Sequence, residues 1–156
     1  VKLRTNGFDL WVYHKQDAKP KYLLFHTSQE KAEKWFHGGR FWQICGGFVG
    51  EEEELEAAFL RVLHCIGLEA IGIWACEHTY IYYNARRKNI EITPVFAAEV
   101  VEPKAIPLSW EHSEYGWFTN DECLERIHFR GLIEGLKWTR HYISEVEAPP
   151  ENLRFV

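Results

Sequence analysis

Residues 42 to 68 read Trp42-Gln-Ile-Cys-Gly-Gly-Phe-Val-Gly-Glu-Glu-Glu-Glu-Leu-Glu-Ala-Ala-Phe-Leu-Arg-Val-Leu-His-Cys-Ile-Gly-Leu68, and this stretch decides the fold. Leu55, Ala58, Phe59, Val62, Leu63 and Ile66 recur at i, i+3, i+4, i+7, i+8 and i+11, the spacing of one apolar helix face. The pattern predicts a helix from Glu51 or Glu52 to Gly67. Glu51–Glu54 then fill its first turn, where the positive end of the helix dipole favours carboxylates, and Gly67 ends it. Just ahead, Phe41–Ile44 reads as a short strand running into Cys45-Gly46-Gly47.

Working outward, Phe8–His14 and Tyr22–Thr27 are apolar, β-rich runs. The polar stretch Lys15–Lys21 between them contains Pro20 and reads as a hairpin loop. Ser28–His37 is polar and shows no periodic element. Ile71–Tyr83 and Asn89–Val101 read as two long strands joined by Asn84-Ala-Arg-Arg-Lys88, a tip with three positive charges. Glu114–Phe118 is a further short strand, and Thr119 or Asn120 caps a short helix through Ile127. Gly131–Glu145 is a second long amphipathic stretch, with Leu132, Leu136, Thr139, Tyr142 and Ile143 facing inward. These elements predict an α/β fold with a mixed sheet between helices. Residues 1–147 form one domain in this reading, and 148–156 an extended tail.

Composition narrows the function classes. The chain has 156 residues, 46% of them hydrophobic and 26% charged, a globular balance. No apolar run is long enough to span a bilayer, and no signal-peptide pattern opens the sequence. A net charge of −5 argues against an extensive nucleic-acid surface while leaving room for a local basic pocket. The four cysteines form no CxxC pair, so reduced thiols in a cytoplasmic protein are the expectation. There is no methionine, and Val1 is read as not the first residue synthesised.

The stretch quoted first resembles the signature of the Nudix superfamily, the MutT-like hydrolases. That signature runs as glycine, five residues, glutamate, seven residues, then Arg-Glu-apolar-any-Glu-Glu-any-Gly-apolar. Trp42 and Gly46-Gly47 match its lead-in, Leu55-Glu-Ala-Ala58 its helix start and Gly67-Leu68 its end. Glu111-His-Ser-Glu-Tyr-Gly-Trp117, followed by Asp121-Glu122, is similar to a segment common in the same proteins. The resemblance implies an α/β/α sandwich and cleavage of a nucleotide diphosphate linkage, with Mg²⁺ or Mn²⁺ held by helix glutamates.

Two registers are available. Counting from Gly46 keeps Glu52 as the first glutamate and sets Leu60, Arg61, His64 and Cys65 at the later charged positions. Counting from Gly47 keeps Glu53 and Arg61 but needs a deletion in the helix, with Val62 and Ile66 at ligand positions. The first register is preferred because it leaves the apolar stripe undisturbed. In either one the distal carboxylates are gone, and guanidinium, neutral imidazole and thiol are poor ligands for a hard cation.

The candidate site residues follow. Glu52, Glu111 and Glu114 are the candidate catalytic carboxylates, with Glu52 and Glu53 as candidate metal ligands. Gly46, Gly47, Arg61 and His64 are candidate substrate-binding residues, Arg61 as a direct phosphate ligand or as a surface arginine paired with Glu54 or Glu56. Each has an ordinary alternative: a solvated acidic helix start, helix-surface filling or a loop carboxylate. The Trp and Tyr excess suggests a stacking clamp for a base, or core filling. Two functions stay open. One is a nucleotide- or partner-binding module with impaired hydrolysis, a pseudoenzyme; the other is a divergent hydrolase with a displaced metal site. The expected ligand is a nucleotide or a nucleoside-diphosphate-linked small molecule, with no membrane partner, and a homodimer stays open.

Overall fold

Strand β7 organises the sheet, because it is the strand that two others join in parallel. The computed structural model describes residues 1–101 and 103–156. In chain order the elements are β1 (Lys2–Arg4), β2 (Gly7–Gln16), β3 (Lys19–Thr27), α1 (Gln29–Trp35), β4 (Trp42–Gln43), β5 (Cys45–Phe48) and α2 (Leu55–Cys65). Then come β6 (Ala70–Asn84), β7 (Asn89–Val100), β8 (His112–Phe118), α3 (Asn120–Arg126) and α4 (Arg130–Thr139). β7 lies parallel to β1 and β2 on one side and antiparallel to β6 on the other. β3 continues the sheet antiparallel to β2, and β8 pairs with β3.

The β2–β3 hairpin is closed only near its turn, from Tyr13↔Tyr22 to Gln16↔Lys19. Further down, β5 pairs with β2 and β4 with β3. The segment Trp42–Phe48 is thereby wedged between the hairpin arms, which sets Gly46 and Gly47 in the middle of the sheet.

Strand alternation sorts the apolar residues into two cores, one on each face. Phe8, Leu10, Leu23, Phe25, Phe96 and Ala98 face α2, meeting its Ala58, Phe59 and Leu63. Trp11, Tyr13, Tyr22, Leu24, Val95 and Ala97 face α3 and α4, meeting Cys123, Leu132 and Leu136. This is the α/β/α sandwich that the sequence predicts. Among the described residues no helix is long and apolar enough to cross a membrane. All four cysteines are free thiols, three buried and Cys65 exposed.

Several elements differ from the sequence reading. The hairpin turn is only Asp17-Ala18, both in the left-handed region (φ 52 and 64), as a tight hairpin turn requires. Pro20 sits inside β3 opposite Lys15, short of the point where β8 begins to pair, so no strand there needs its missing N–H. Ser28–His37 contains α1, whose N-cap Ser28 accepts a hydrogen bond from the Lys31 backbone. Its helical face is short, and one of its buried positions is a lysine, so no apolar stripe announces it.

Helix α2 begins at Leu55, not at Glu51 or Glu52. Glu52 has φ 61, which an α-helix cannot contain, so Glu51–Glu54 form a turn ahead of the helix. The other end follows the prediction. Gly67, at φ 74, donates to His64 O at 3.0 Å, and Leu68 N donates to Leu63 O at 3.0 Å, a Schellman closure. α4 ends at Thr139 and the predicted stretch continues as a π-helical turn, Arg140–Ser144. Beyond Pro150 the chain makes a short 3₁₀ turn, and Phe155 N donates to Ile73 O at 2.7 Å.

Phe59 anchors α2, its ring edge-on to Phe8 at 5.1 Å and tilted against Phe96 at 4.7 Å. Phe59→Ala should therefore cost about 3–5 kcal/mol in denaturant unfolding; a loss under about 1 kcal/mol would show that α2 is not anchored through this ring.

Candidate functional site

The turn between β5 and α2 is built on one charged pair. Arg61, on the exposed side of α2, donates from Nε to Glu53 Oε2 at 2.9 Å and from Nη2 to Glu53 Oε1 at 2.9 Å. The same Nη2 reaches Phe48 O at 2.8 Å, and Glu53 Oε1 also accepts from Gly50 N at 3.0 Å. The two hydrogen bonds from Arg61, then the Gly50 N–H, hold the Glu53 carboxyl down at about 2. The partner of Arg61 is therefore Glu53, not Glu54 or Glu56.

This pairing bears on the register. Glu53 and Arg61 stand eight apart, the separation of glutamate and arginine in the signature, so the geometry follows the count from Gly47 rather than from Gly46. No residue is deleted inside the helix. α2 runs unbroken, and the shortfall is absorbed at its C-terminus, where Gly67 turns the chain early. The positions aligned with the signature's later glutamates are then Val62, Cys65 and Ile66. Val62 and Ile66 pack against the core on the α2 side.

The remaining candidates separate into distinct places. Glu52 is exposed. Arg61 and His64 come together on a broad hollow of about 640 Å³ along α2, lined also by Leu60, Leu68 and Glu69. Cys65 is exposed too, but follows His64 directly and diverges from it around the helix. Glu111 lies against Lys31 at 3.4 Å, and Glu114 against His26 Nδ1 at 3.1 Å. Around Glu111, Lys31 Nζ donates to Gln43 Oε1 at 3.3 Å, and Gln43 Nε2 contacts His112 Nε2 at 3.0 Å. Burial, helped by Lys31, lowers His112 to about 4, so it is neutral at physiological pH.

Gly46 and Gly47 are both needed for close approach. A Cβ on Gly46 would lie 2.8 Å from Phe8 O, and one on Gly47 would lie 3.2 Å from the Val62 side chain.

The divalent cation that the resemblance implies does not fit the residues present. Both Glu53 oxygens accept from Arg61, Glu111 lies against Lys31, Glu114 stands apart beside His26, and aliphatic chains occupy two of the helix positions. Among the described residues no group of three or more His, Cys, Asp or Glu side chains is placed to hold a metal ion.

Two further features lie outside the candidate residues. One is a cationic and aromatic rim at the positively charged hairpin tip already visible in the sequence. Arg4 and Arg87 lie over the Phe48 ring at 3.8 and 4.7 Å, while Arg86 lies over Trp35 at 4.8 Å. Lys34 lies 5.2 Å from both Trp35 and Trp110, which meet edge to face at 5.4 Å. The hairpin tip at residues 84–88 thus joins the start of the β5–α2 turn to α1. The other feature is Asp9. It interrupts the apolar run Phe8–His14, which was its signal, and Oδ2 accepts from the Tyr80 hydroxyl at 2.7 Å. Burial pushes its carboxyl up from 3.8 to about 6 against the lowering effect of that hydrogen bond.

A family model described as a NUDIX domain matches residues 4–138. A search of curated proteins returns no match. Among solved structures, the MutT protein from Methanosarcina mazei is 17% identical at a TM-score of 0.67, covering 90% of this chain and 97% of that one. An Ap4A hydrolase of C. elegans in a binary complex is 15% identical at a TM-score of 0.66, covering 92% and 99%. The NUDIX domain of Shewanella oneidensis NrtR, complexed with ADP ribose, is 23% identical at a TM-score of 0.64, covering 88% of each chain.

Asp9 has a pH signature whose sign is fixed. Its folded value lies above its unfolded one, so the native state keeps a proton that the unfolded chain releases, and stability falls as pH rises from about 4 to about 6. The titratable groups that interact with it are Tyr80 and Tyr82 from β6. Asp9→Asn should melt higher than the parent above pH about 6, with the gap closing near pH 4; equal melting curves at neutral pH would contradict this.

Proposed function

The chain belongs to the NUDIX family, and from that premise we propose that it is a nucleotide-binding module whose magnesium-dependent hydrolysis is impaired. The observation that carries this reading is the Arg61–Glu53 pair. A hard cation needs carboxylate oxygens with free lone pairs and uncompensated charge. In this chain the turn's half-buried glutamate is neutralised by a guanidinium, and the helix positions that would complete a cage carry Val62, Cys65 and Ile66.

What remains of the site suits binding. Arg87, over the Phe48 ring at the hairpin tip, offers charge to phosphate oxygens. Arg61 and His64 line the hollow on α2 and would meet a phosphate there with the donor capacity that Glu53 leaves free. The ligand class is a nucleotide or nucleoside-diphosphate-linked small molecule, in keeping with a solved relative complexed with ADP ribose.

The test pairs a binding titration with a phosphate-release screen over nucleoside diphosphates and triphosphates, dinucleoside polyphosphates and nucleotide sugars, with Mg²⁺ or Mn²⁺. Saturable binding without release is expected, and Arg87→Glu should weaken it by about tenfold. Brisk turnover that EDTA abolishes and added cation restores would overturn the impaired-hydrolysis reading.

A further inference from the structure

The register of the sheet places a set of polar and aromatic side chains on the α4 face at the edge of its core, with Tyr80 packed against that core. Asp9 is two residues before Trp11 and opposite Val95, both members of the α3/α4-side core, so it points to the same face. On β7, Thr93 and Glu91 continue from Val95 along that face. Their partners on β6 are Tyr80 and Tyr82. On β5, Gly46 is opposite Asp9, and Phe48 follows two residues on. α4 begins just above, where Gly131 packs so closely on the Tyr80 ring that a Cβ there would collide with it. The helix covers Tyr80 and leaves the strip beyond it open, with Tyr82 41% and Phe48 38% exposed.

Within this cleft Asp9 is deep and half satisfied. Oδ2 accepts from Tyr80, while Oδ1 accepts no hydrogen bond among the described residues and lies 3.6 Å from where a Gly46 side chain would begin. An ionised carboxylate is an acceptor only, and Oδ1 is open to solvent, so a donor on a ligand can reach it. Asp9 forms no ion pair among the described residues, and Arg4 is engaged with Glu91 at 3.9 Å. Asp9 Oδ1 is therefore an acceptor without a protein donor, on the face where its neighbour Gly46 carries no side chain.

We propose that this cleft binds the base of a guanine-type nucleotide, with the Asp9 carboxylate accepting from the adjacent ring N–H and exocyclic amino group. Oδ1 and the second lone pair of Oδ2 supply two parallel acceptors. Tyr82 and Phe48 lie on the same face as Asp9; Arg4 and Arg87 cover the Phe48 ring, and Tyr82, stacked on Tyr80 by one ring face, offers the other for stacking. Arg4 and Arg87, at Phe48, stand on the outer edge, where the phosphates of a base held this way emerge. Adenine is rejected because it turns a ring acceptor toward the carboxylate, leaving one contact repulsive. The proposal rests on the nucleotide-binding reading and specifies its ligand.

The experiment is a calorimetric titration of the purified chain with GDP, IDP, ADP and XDP, each compared with its nucleoside. GDP should bind roughly tenfold or more tightly than IDP, which lacks the amino donor, and than ADP, the range for a bidentate base contact. Asp9→Asn should lose that preference and gain XDP, because its amide donates where the carboxylate accepted. Equal affinity for all four diphosphates would overturn the base assignment while leaving the nucleotide-binding reading intact. Guanosine binding in preference to adenosine, with no gain from phosphates, would support the cleft and count against the phosphate rim. No binding of any nucleotide or nucleoside overturns both. Should Asp9→Asn fail to fold, the GDP, IDP and ADP comparison on the unsubstituted chain decides by itself.

Discussion

Arg61 and Glu53 tie three pieces of backbone together with two side chains. The guanidinium holds the carbonyl that ends β5, and the carboxylate holds the N–H of Gly50 within the turn. The two then close on each other from α2. This fixes a turn that contains a left-handed Glu52 and would otherwise have four acidic residues repelling one another. The same tie bears on the chemistry. A carboxylate whose oxygens accept from a guanidinium has fewer lone pairs and less uncompensated charge to offer a cation, so in the proposed reading its structural use competes with a metal-binding use. The aliphatic residues on α2 then fill the core side with no need to present oxygens outward.

The wedge of Trp42–Phe48 between the arms of the hairpin does comparable work for the sheet. It puts a diglycine opposite Phe8 and Asp9, where one face meets α2 and the other meets the open strip beside α4. Gly47 lies against Val62 on the first face and Gly46 beside Asp9 on the second. Two adjacent glycines therefore serve two different clearances. A side chain at Gly46 would strike the β2 backbone, and one at Gly47 would crowd α2.

Much of the fold was legible because periodicity is strong where burial is one-sided. The α2 stripe, the long β6–β7 pair and the Thr119 cap with Glu122 completing its capping box all follow from local pattern. α1 was not legible, because Lys31 is buried through pairing with Gln43 and Glu111 rather than through hydrophobicity. The start of α2 was misplaced because helix-dipole reasoning rewards any glutamate near an N-terminus and cannot see a left-handed Glu52. The register is hard to read for a related reason: counting along the signature from Gly47 places a missing residue inside the helix, whereas α2 is unbroken and the chain turns at Gly67. At the site, Glu53 and Arg61 were visible as residues, but their partnership bridges a turn and a helix. Asp9 was visible only as a charge in an apolar strand, and its meaning depends on β5, β6 and α4, all distant in sequence.

The charges at this end of the molecule are ordered, and the order bears on what can enter. The chain carries a net charge of −5, yet Arg4, Arg86, Arg87 and Lys34 stack on aromatic rings around one mouth. Stacked guanidinium groups keep their outward edges for anions, because the ring takes only the face. Deeper, the sign reverses at Asp9, and Glu91 is already partnered by Arg4. A wholly anionic ligand would be drawn to the rim and repelled further in, and a wholly cationic one would be repelled before arriving. The arrangement matches a molecule with negative charge at one end and hydrogen-bond donors on a flat surface at the other. Asp9 tolerates burial at a cost in stability that its Tyr80 bond does not cancel, and a donor edge seated on Oδ1 is what would offset that cost.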